Sequence, residues 1–326
     1  MATSTPPPEY TYTAPTTTNP PPPPSGSANI SLREYIYYLP HPLPAGTPTP
    51  YTPGLPSKNP LNLPPHPFEP THTLVLTSPG RSFVDLRYLK PQHAGDSDLP
   101  NAGETVRLEW GFAGHSSTTT SSSPPHPEYG VANHSTWTHW LDSRHRVGDP
   151  QIPVDEGDLY AISPTLTIEC GAAFHPHLGR VAGHEEAWRD VVGSPVGIGT
   201  ETTGLENFSA LLRLHDDANG VRGVVLRVGR FCQAIVVLGA RVSTERWEYI
   251  DHIDDGFTAT STSADFDGAS TASPARCRTG WTRTARTGDC FLPCAATFRP
   301  QTLQLGGTVR YGEFEWVVEE VWECVD

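Results

Sequence analysis

The sequence predicts an all-β protein built as two tandem antiparallel β-barrels, and three observations carry that reading. Strand-length runs alternate apolar and polar residues along the chain, the period-two signature of half-buried strands. Outside an ambiguous turn near Trp188, no ten-residue stretch free of Gly and Pro carries a 3.6-residue apolar period, so helix is a minor component. Glycines inside strand runs (Gly111, Gly223, Gly229 and Gly312) mark the sharp coiling that closure into a barrel requires.

In chain order, residues 1–29 are rich in Pro, Thr and Ser, bury too little apolar surface to offset ordering entropy, and are expected to be a disordered tail. The run 31–39 is the first strand, and a Pro-rich insertion over 40–70 follows it. Between 71 and 89, Ser-Pro-Gly-Arg closes a hairpin, with Pro79 pre-setting φ and Gly80 free to take positive φ. On its second arm Val84, Leu86 and Tyr88 share one parity, and Asp85 and Arg87 take the other. Residues 106–112 form a strand in which Val106, Leu108, Trp110 and Phe112 alternate with Arg107, Glu109 and Gly111. A Ser/Thr/Pro loop spans 114–134. Short strands follow at 135–143, 158–162 and 166–170, and 184–192 closes the unit as a strand or a single helical turn. These elements place a first barrel at 30–195.

A Gly- and Thr-rich stretch at 193–204 marks the boundary, and the second barrel occupies 205–326. Asn219-Gly220 joins 209–215 to 221–229 as a hairpin. Residues 231–238 are apolar on both parities and are expected to be buried on both faces. A strand at 246–250, a low-complexity insertion over 251–289 and a final strand region at 309–322 complete the chain.

The chain has 326 residues, room for two domains. It holds 35 prolines, 21 of them in the first 70 positions, so the excess belongs to the tail and first insertion rather than to a core. The net charge of −14 disfavours the phosphate backbone of nucleic acid as a partner. No run of 18 apolar residues predicts membrane insertion, and the N-terminus has no secretory pattern. Cytoplasmic or nuclear residence is therefore expected, with the six cysteines as free thiols.

Catalytic signatures are missing from the sequence: no nucleophile elbow, phosphate loop or dinucleotide fingerprint is present, and no cofactor or enzymatic activity is expected. Among the 14 histidines, His175 with His177 and His134 with His139 are the nearest constellations, but neither has metal-ligand spacing. Cys290 and Cys294 lack a completing pair, so no metal site is expected. Interior positions are the first candidate site, because an eight-stranded barrel either fills its centre or encloses one small ligand. The alternation assigns Val84, Leu86, Tyr88, Leu108, Trp110 and Trp137 to the first interior. Val224, Leu226, Val228, Trp247 and Trp316 fall to the second. Tyr88, Trp110, Trp137, Trp247 and Trp316 are the candidate ligand-binding residues. The second candidate is the 251–289 insertion, where Asp254 and Asp255 precede Thr258, Thr260, Ser261, Thr262 and Ser263, a pattern suited to acid-directed kinases. Arg276, Arg278, Arg283 and Arg286 stand near enough in sequence to dock the phosphates.

The motifs TLVLTSPGRSFVDLR (73–87), HWLDSR (139–144), DEGD (155–158) and VRGVVLRVGRFCQAIVV (221–237) occur in order, and with their surrounding strands the chain resembles the fungal Hri-type proteins over most of 30–326. That family is built from two lipocalin-like β-barrels and named for interaction with a casein kinase. The resemblance implies a non-enzymatic interaction or adaptor protein of the cytoplasm and nucleus, a partner or substrate of a casein kinase. The alternative is a carrier of a small hydrophobic ligand in one barrel. The three insertions depart from the family's compact pattern, and the resemblance brings no catalytic residues.

Overall fold

A computed structural model describes residues 9–16, 26–55, 57–175, 177–191, 208–250 and 280–323. The chain opens with β1 (Tyr10–Thr13) and then builds eight strands: β2 (Asn29–Leu39), β3 (Thr71–Thr77), β4 (Ser82–Leu89), β5 (Leu108–Thr120), β6 (Asn133–Asp142), β7 (Val154–Ser163), β8 (Leu166–His175) and β9 (Arg180–Asp190). Each of these pairs antiparallel with the next, and β9 returns to β2, which closes the barrel and leaves no free edge. Seven further strands follow: β10 (Phe208–Asp216), β11 (Val221–Val228), β12 (Phe231–Leu238), β13 (Arg241–Ile250), β14 (Gly280–Thr287), β15 (Thr308–Tyr311) and β16 (Phe314–Glu323). Together with β1 they form one curled sheet in the order β1-β15-β16-β10-β11-β12-β13-β14. The protein is thus all-β, with one closed barrel and a second, half-barrel sheet.

The two units meet back to back. Leu74, Leu76, Val84, Leu86, Tyr88 and Ala113 on the outside of the barrel pack with Leu211, Val224, Leu226, Val228, Ile235 and Val237 of the curled sheet into one apolar seam. Polar groups cross that seam as well. Gln233 donates from Nε2 to the Leu74 and Val84 carbonyls at 2.9 and 3.0 Å and accepts from Arg246 Nε at 2.9 Å. Arg246 in turn donates to the Leu86 carbonyl at 2.8 Å, and its guanidinium lies 4.9 Å from the Tyr88 ring centroid. The other face of the curled sheet carries a separate core, in which Leu292, Cys294 and Ala296 from the 3-10 turn Pro293–Phe298 and its lead-in pack against Trp316, Val318 and Val225. The β12 run is apolar on both parities because Cys232, Ala234 and Val236 belong to this core while Ile235 and Val237 belong to the seam.

This arrangement corrects the assignment of faces. Val84, Leu86, Tyr88 and Leu108 were expected inside the first barrel, and Val224, Leu226 and Val228 inside the second. All seven pack at the seam instead, because each unit covers the other's outer face. The parity of β4 is as the sequence predicts, but its interior face is the one bearing Phe83, Asp85 and Arg87.

Several boundaries also shift. Within the tail expected to be disordered, Tyr10–Thr13 adds an edge strand to β15; Tyr10 and Tyr12 pack on the second core, and the Tyr12 hydroxyl accepts the Gln304 N–H at 2.9 Å. The strand expected from 106 begins at Leu108, with Thr105–Arg107 a 3-10 turn that leaves Val106 81% exposed. It continues to Thr120, inside the expected 114–134 loop, because its polar residues pair in register with β6. Of the 184–192 run, residues 184–190 are strand rather than a helical turn. The last insertion was drawn to 289, yet Gly280–Thr287 pairs with β13, since Ala285 enters the seam and Trp281 the second core.

The first hairpin turn differs as well. Arg81, not Gly80, takes the positive φ of 69°. Gly80 is small for another reason: a Cβ there would lie 2.5 Å from the Glu320 carboxylate, which also accepts the Ser82 hydroxyl at 2.5 Å. The 40–70 segment lies against the barrel's outer wall, where Glu185 accepts the Tyr51 and Thr52 backbone N–H groups at 2.6 and 2.7 Å and buries both residues.

Candidate functional site

The closed barrel encloses a cavity of about 490 Å³, inside the range of small-molecule sites. It opens where β2 begins and β9 ends, beside Ser27, Ala28, Asn29, Arg81 and Asp190. Inward positions of successive strands line it: Ser31 and Val75, then Phe83, Asp85 and Arg87, then Phe112, Ser116 and Thr118, then Ser135 and Trp137, Asp155 and Leu159, Thr167 and Glu169, and Trp188. Aromatic rings and carboxylates both line the wall.

A buried charge network forms the floor. Arg33 on β2 donates to Glu69 at 2.7 Å from Nε and to Glu186 on β9 at 2.7 Å from Nη1. Arg87 on β4 holds Asp85 Oδ2 through Nη2 and Nε at 2.8 and 3.0 Å, and its Nη1 lies 3.6 Å from Glu186. The guanidinium of Arg87 is also stacked 5.1 Å from the Trp110 centroid and 5.3 Å from that of Phe112. These inward side chains explain why β4 reads as half polar in sequence: the polar half faces a site, not solvent.

Two guanidinium groups serve four carboxylates here, Glu69, Asp85, Glu169 and Glu186, and the titrations reflect the imbalance. Burial pushes Glu169 up to about 8, and the charge on Glu186 adds to the rise. Burial also acts on Glu186, but Arg33 and Arg87 outweigh it and hold that carboxyl below its ordinary range. Asp85 is raised, because burial exceeds the help of Arg87. Its Oδ1, buried against the cavity, has no hydrogen-bond partner. Burial likewise keeps His184 below its usual value, so it adds no positive charge to the floor at neutral pH.

A second cluster adjoins the floor. Asp142 accepts the Trp110 indole N–H at 2.9 Å, the His139 Nδ1 at 3.0 Å and the Arg144 backbone N–H at 2.8 Å, and its carboxyl is held low despite burial. His139 stacks on Phe112 at 4.1 Å between centroids; burial lowers its titration, but Asp142 and Asp155 outweigh that and leave it raised.

The candidate residues from sequence fall in three places. Trp137 lines the cavity, and Trp110 lies behind it, bonded to Asp142. Trp247 and Trp316 pack in the second core, and Tyr88 is in the seam with its hydroxyl 2.9 Å from Thr244 Oγ1. Tyr88 is thus corrected from interior to seam, for the reason given above. Thr258, Thr260, Ser261, Thr262 and Ser263 lie outside the described residues, as do Arg276 and Arg278. Arg283 and Arg286, expected near that loop's phosphates, sit on β14, where Arg283 donates to Asn101 at 2.9 Å. Of the histidines, His175 pairs with His184 at 3.3 Å and contacts His177 edge to face, and no group of three or more metal-ligating side chains occurs among the described residues. Sequence reasoning missed Asp85, Arg87, Glu169, Glu186 and Trp188. The available signal was the paired charge on one parity of β4, at Asp85 and Arg87.

An eight-stranded barrel with a charged cavity, joined at one wall to a curled eight-stranded sheet, defines a two-unit all-β barrel protein. Residues 54–320 match the family described as Protein HRI1, and the chain belongs to that family. The crystal structure of the uncharacterized protein YLR301w from Saccharomyces cerevisiae shares the fold, with a TM-score of 0.53 and 16% identity, over 90% of this chain and 98% of that one. A comparison with curated proteins found no match.

Proposed function

We propose that this chain is a non-enzymatic binding protein whose first barrel takes a small polar molecule. The observation that carries the reading is the cavity of about 490 Å³ with an unpartnered acceptor, Asp85 Oδ1, buried in its wall. Leaving a buried carboxylate oxygen unpaired costs on the order of 1–3 kcal/mol, which a donor on a bound molecule would recover. Trp137 and Trp188 border the cavity, so occupancy changes indole emission. A fluorescence screen of small polar compounds should yield ligands whose signal and affinity are lost in Trp137→Ala. If every hit binds Trp137→Ala unchanged, the barrel is not the site.

An adaptor role with a casein kinase as partner is the second reading, and it rests on Asp254 and Asp255 standing before the hydroxyl cluster Thr258–Ser263. Incubation with casein kinase I should place phosphate on the 251–279 segment. A chain left unlabelled beside a labelled acidic control substrate removes this reading and leaves the barrel proposal untouched.

A further inference from the structure

The charge count at the cavity floor leads beyond a generic polar ligand. Arg33 and Arg87 are committed to Glu69, Glu186 and Asp85 Oδ2, which leaves Asp85 Oδ1 without a partner and Glu169 facing the like charges of Glu186 and Asp155, with Arg87 bound elsewhere and His184, 4.0 Å from its Oε1, kept neutral by burial. Aromatic side chains share the lining with that surplus: Phe83, Trp137 and Trp188, besides Phe112, whose ring already meets the Arg87 guanidinium and His139. Ring faces carry negative quadrupole density and attract cations, most strongly where water is excluded. Arg81 is the opposing charge, but it sits at the mouth. Four residues of strand separate it from Asp85, roughly 13 Å at the rise of a β-strand, beyond a Debye length at physiological salt.

We propose that the first barrel is a receptor for a small organic cation, an ammonium seated among Phe83, Trp137 and Trp188 with Asp85 and Glu169 as its counter-ions. This deepens the polar-ligand reading and rests on it. In the free protein a proton on Glu169 balances the surplus, consistent with its rise to about 8. An entering cation takes over that role, and the proton leaves to solvent. Binding therefore exchanges one positive charge for another and tightens as pH rises toward 8, by up to roughly tenfold per pH unit.

The test uses three probes of similar shape: phenyltrimethylammonium, which has no proton to lose, N,N-dimethylaniline as the neutral form, and benzenesulfonate as the anion. Titration calorimetry of the full chain in buffers of different ionisation enthalpy reads both affinity and proton release. The expected result is binding of phenyltrimethylammonium above the other two, strengthening from pH 6 to pH 8 with release of up to one proton. Glu169→Gln, isosteric with the protonated acid and so compatible with the fold, should abolish proton release and flatten the pH profile. Asp85→Asn should weaken the cation at every pH. If the aniline or the sulfonate binds as tightly as the ammonium, or if the profile survives Glu169→Gln, the cation proposal fails while the barrel remains a binding site. If none of the three binds at millimolar concentration, with indole emission unmoved, both readings fall.

Discussion

Replacing Gln233 with leucine tests how the two units are joined. Gln233 is fully buried, and its amide makes two hydrogen bonds across the seam, to the Leu74 and Val84 carbonyls, and accepts a third from Arg246 Nε on the neighbouring strand of its own sheet. Leucine nearly matches its volume, so no cavity opens and the effect isolates the polar contacts. The two neutral bonds are worth about 1 kcal/mol each, and the charged one about 1.5–3 kcal/mol because it leaves a guanidinium N–H unmatched in a buried seam. Arg246 keeps the Leu86 carbonyl at 2.8 Å, which limits the loss, and the new side chain recovers about 1 kcal/mol of apolar burial. The expected net destabilisation is about 2–4 kcal/mol, a large share of a total stability of roughly 5–15 kcal/mol. Urea unfolding followed by tryptophan emission measures it as a lowered midpoint. A change under about 0.5 kcal/mol would mean that water reaches these groups, and the back-to-back packing of β3 and β4 on β11 and β12 would be wrong.

Tyr88→Phe should cost about 1 kcal/mol through the lost hydroxyl contact with Thr244, which keeps Thr287 Oγ1 at 2.7 Å, and should leave ligand affinity unchanged; a loss of affinity would return Tyr88 to the interior. Glu169 binds its proton more tightly folded than unfolded, so the folded state holds the extra proton between about pH 4.5 and 8, and this group's contribution to stability declines as pH rises through that window. Glu169→Gln should remove the decline and gain on the wild type by a few kcal/mol at most near pH 8, read by thermal melts from pH 5 to 8; a parallel pH dependence in both proteins would refute the assignment. Deleting 254–276 should spare both cores, since β14 begins at Gly280, and an unfolded product by far-UV circular dichroism would show that the segment is structural. In the native protein Cys232 and Cys294, both fully buried, should resist alkylation far longer than Cys290; equal rates by mass spectrometry would contradict the second core.

Strand positions were largely legible because each had to bury one parity, and that demand is written residue by residue. The β12 run announced two buried faces, and Asn219-Gly220 announced its turn, where Gly220 takes φ of 66°. Which face of β4 looks inward was not legible. Alternation states that Val84, Leu86 and Tyr88 share a side, but a barrel wall covered by a second unit is apolar outside, and no local pattern separates that from an apolar interior. Tyr10–Thr13 was missed because its partner, β15, lies almost 300 residues away and the flanking prolines dominate the composition. The site was legible only in pieces. Asp85 and Arg87 read as a solvated face, and nothing near Glu169 in sequence indicates that Glu186, its neighbour across β8 and β9, crowds it.

Strands β3 and β4 belong to two surfaces at once. Asp85 contributes to the cavity and its chain neighbours Val84 and Leu86 to the seam, so alternate letters of one short word specify pocket chemistry and unit assembly separately. Substitutions at 83, 85 and 87 can retune what enters the barrel without touching how the halves hold together, and those at 84, 86 and 88 do the reverse. The backbone between them is common to both. The Val84 and Leu86 carbonyls that flank Asp85 are the anchors of Gln233 and Arg246, so the wall of the cavity and the grip of the second unit share one stretch of main chain.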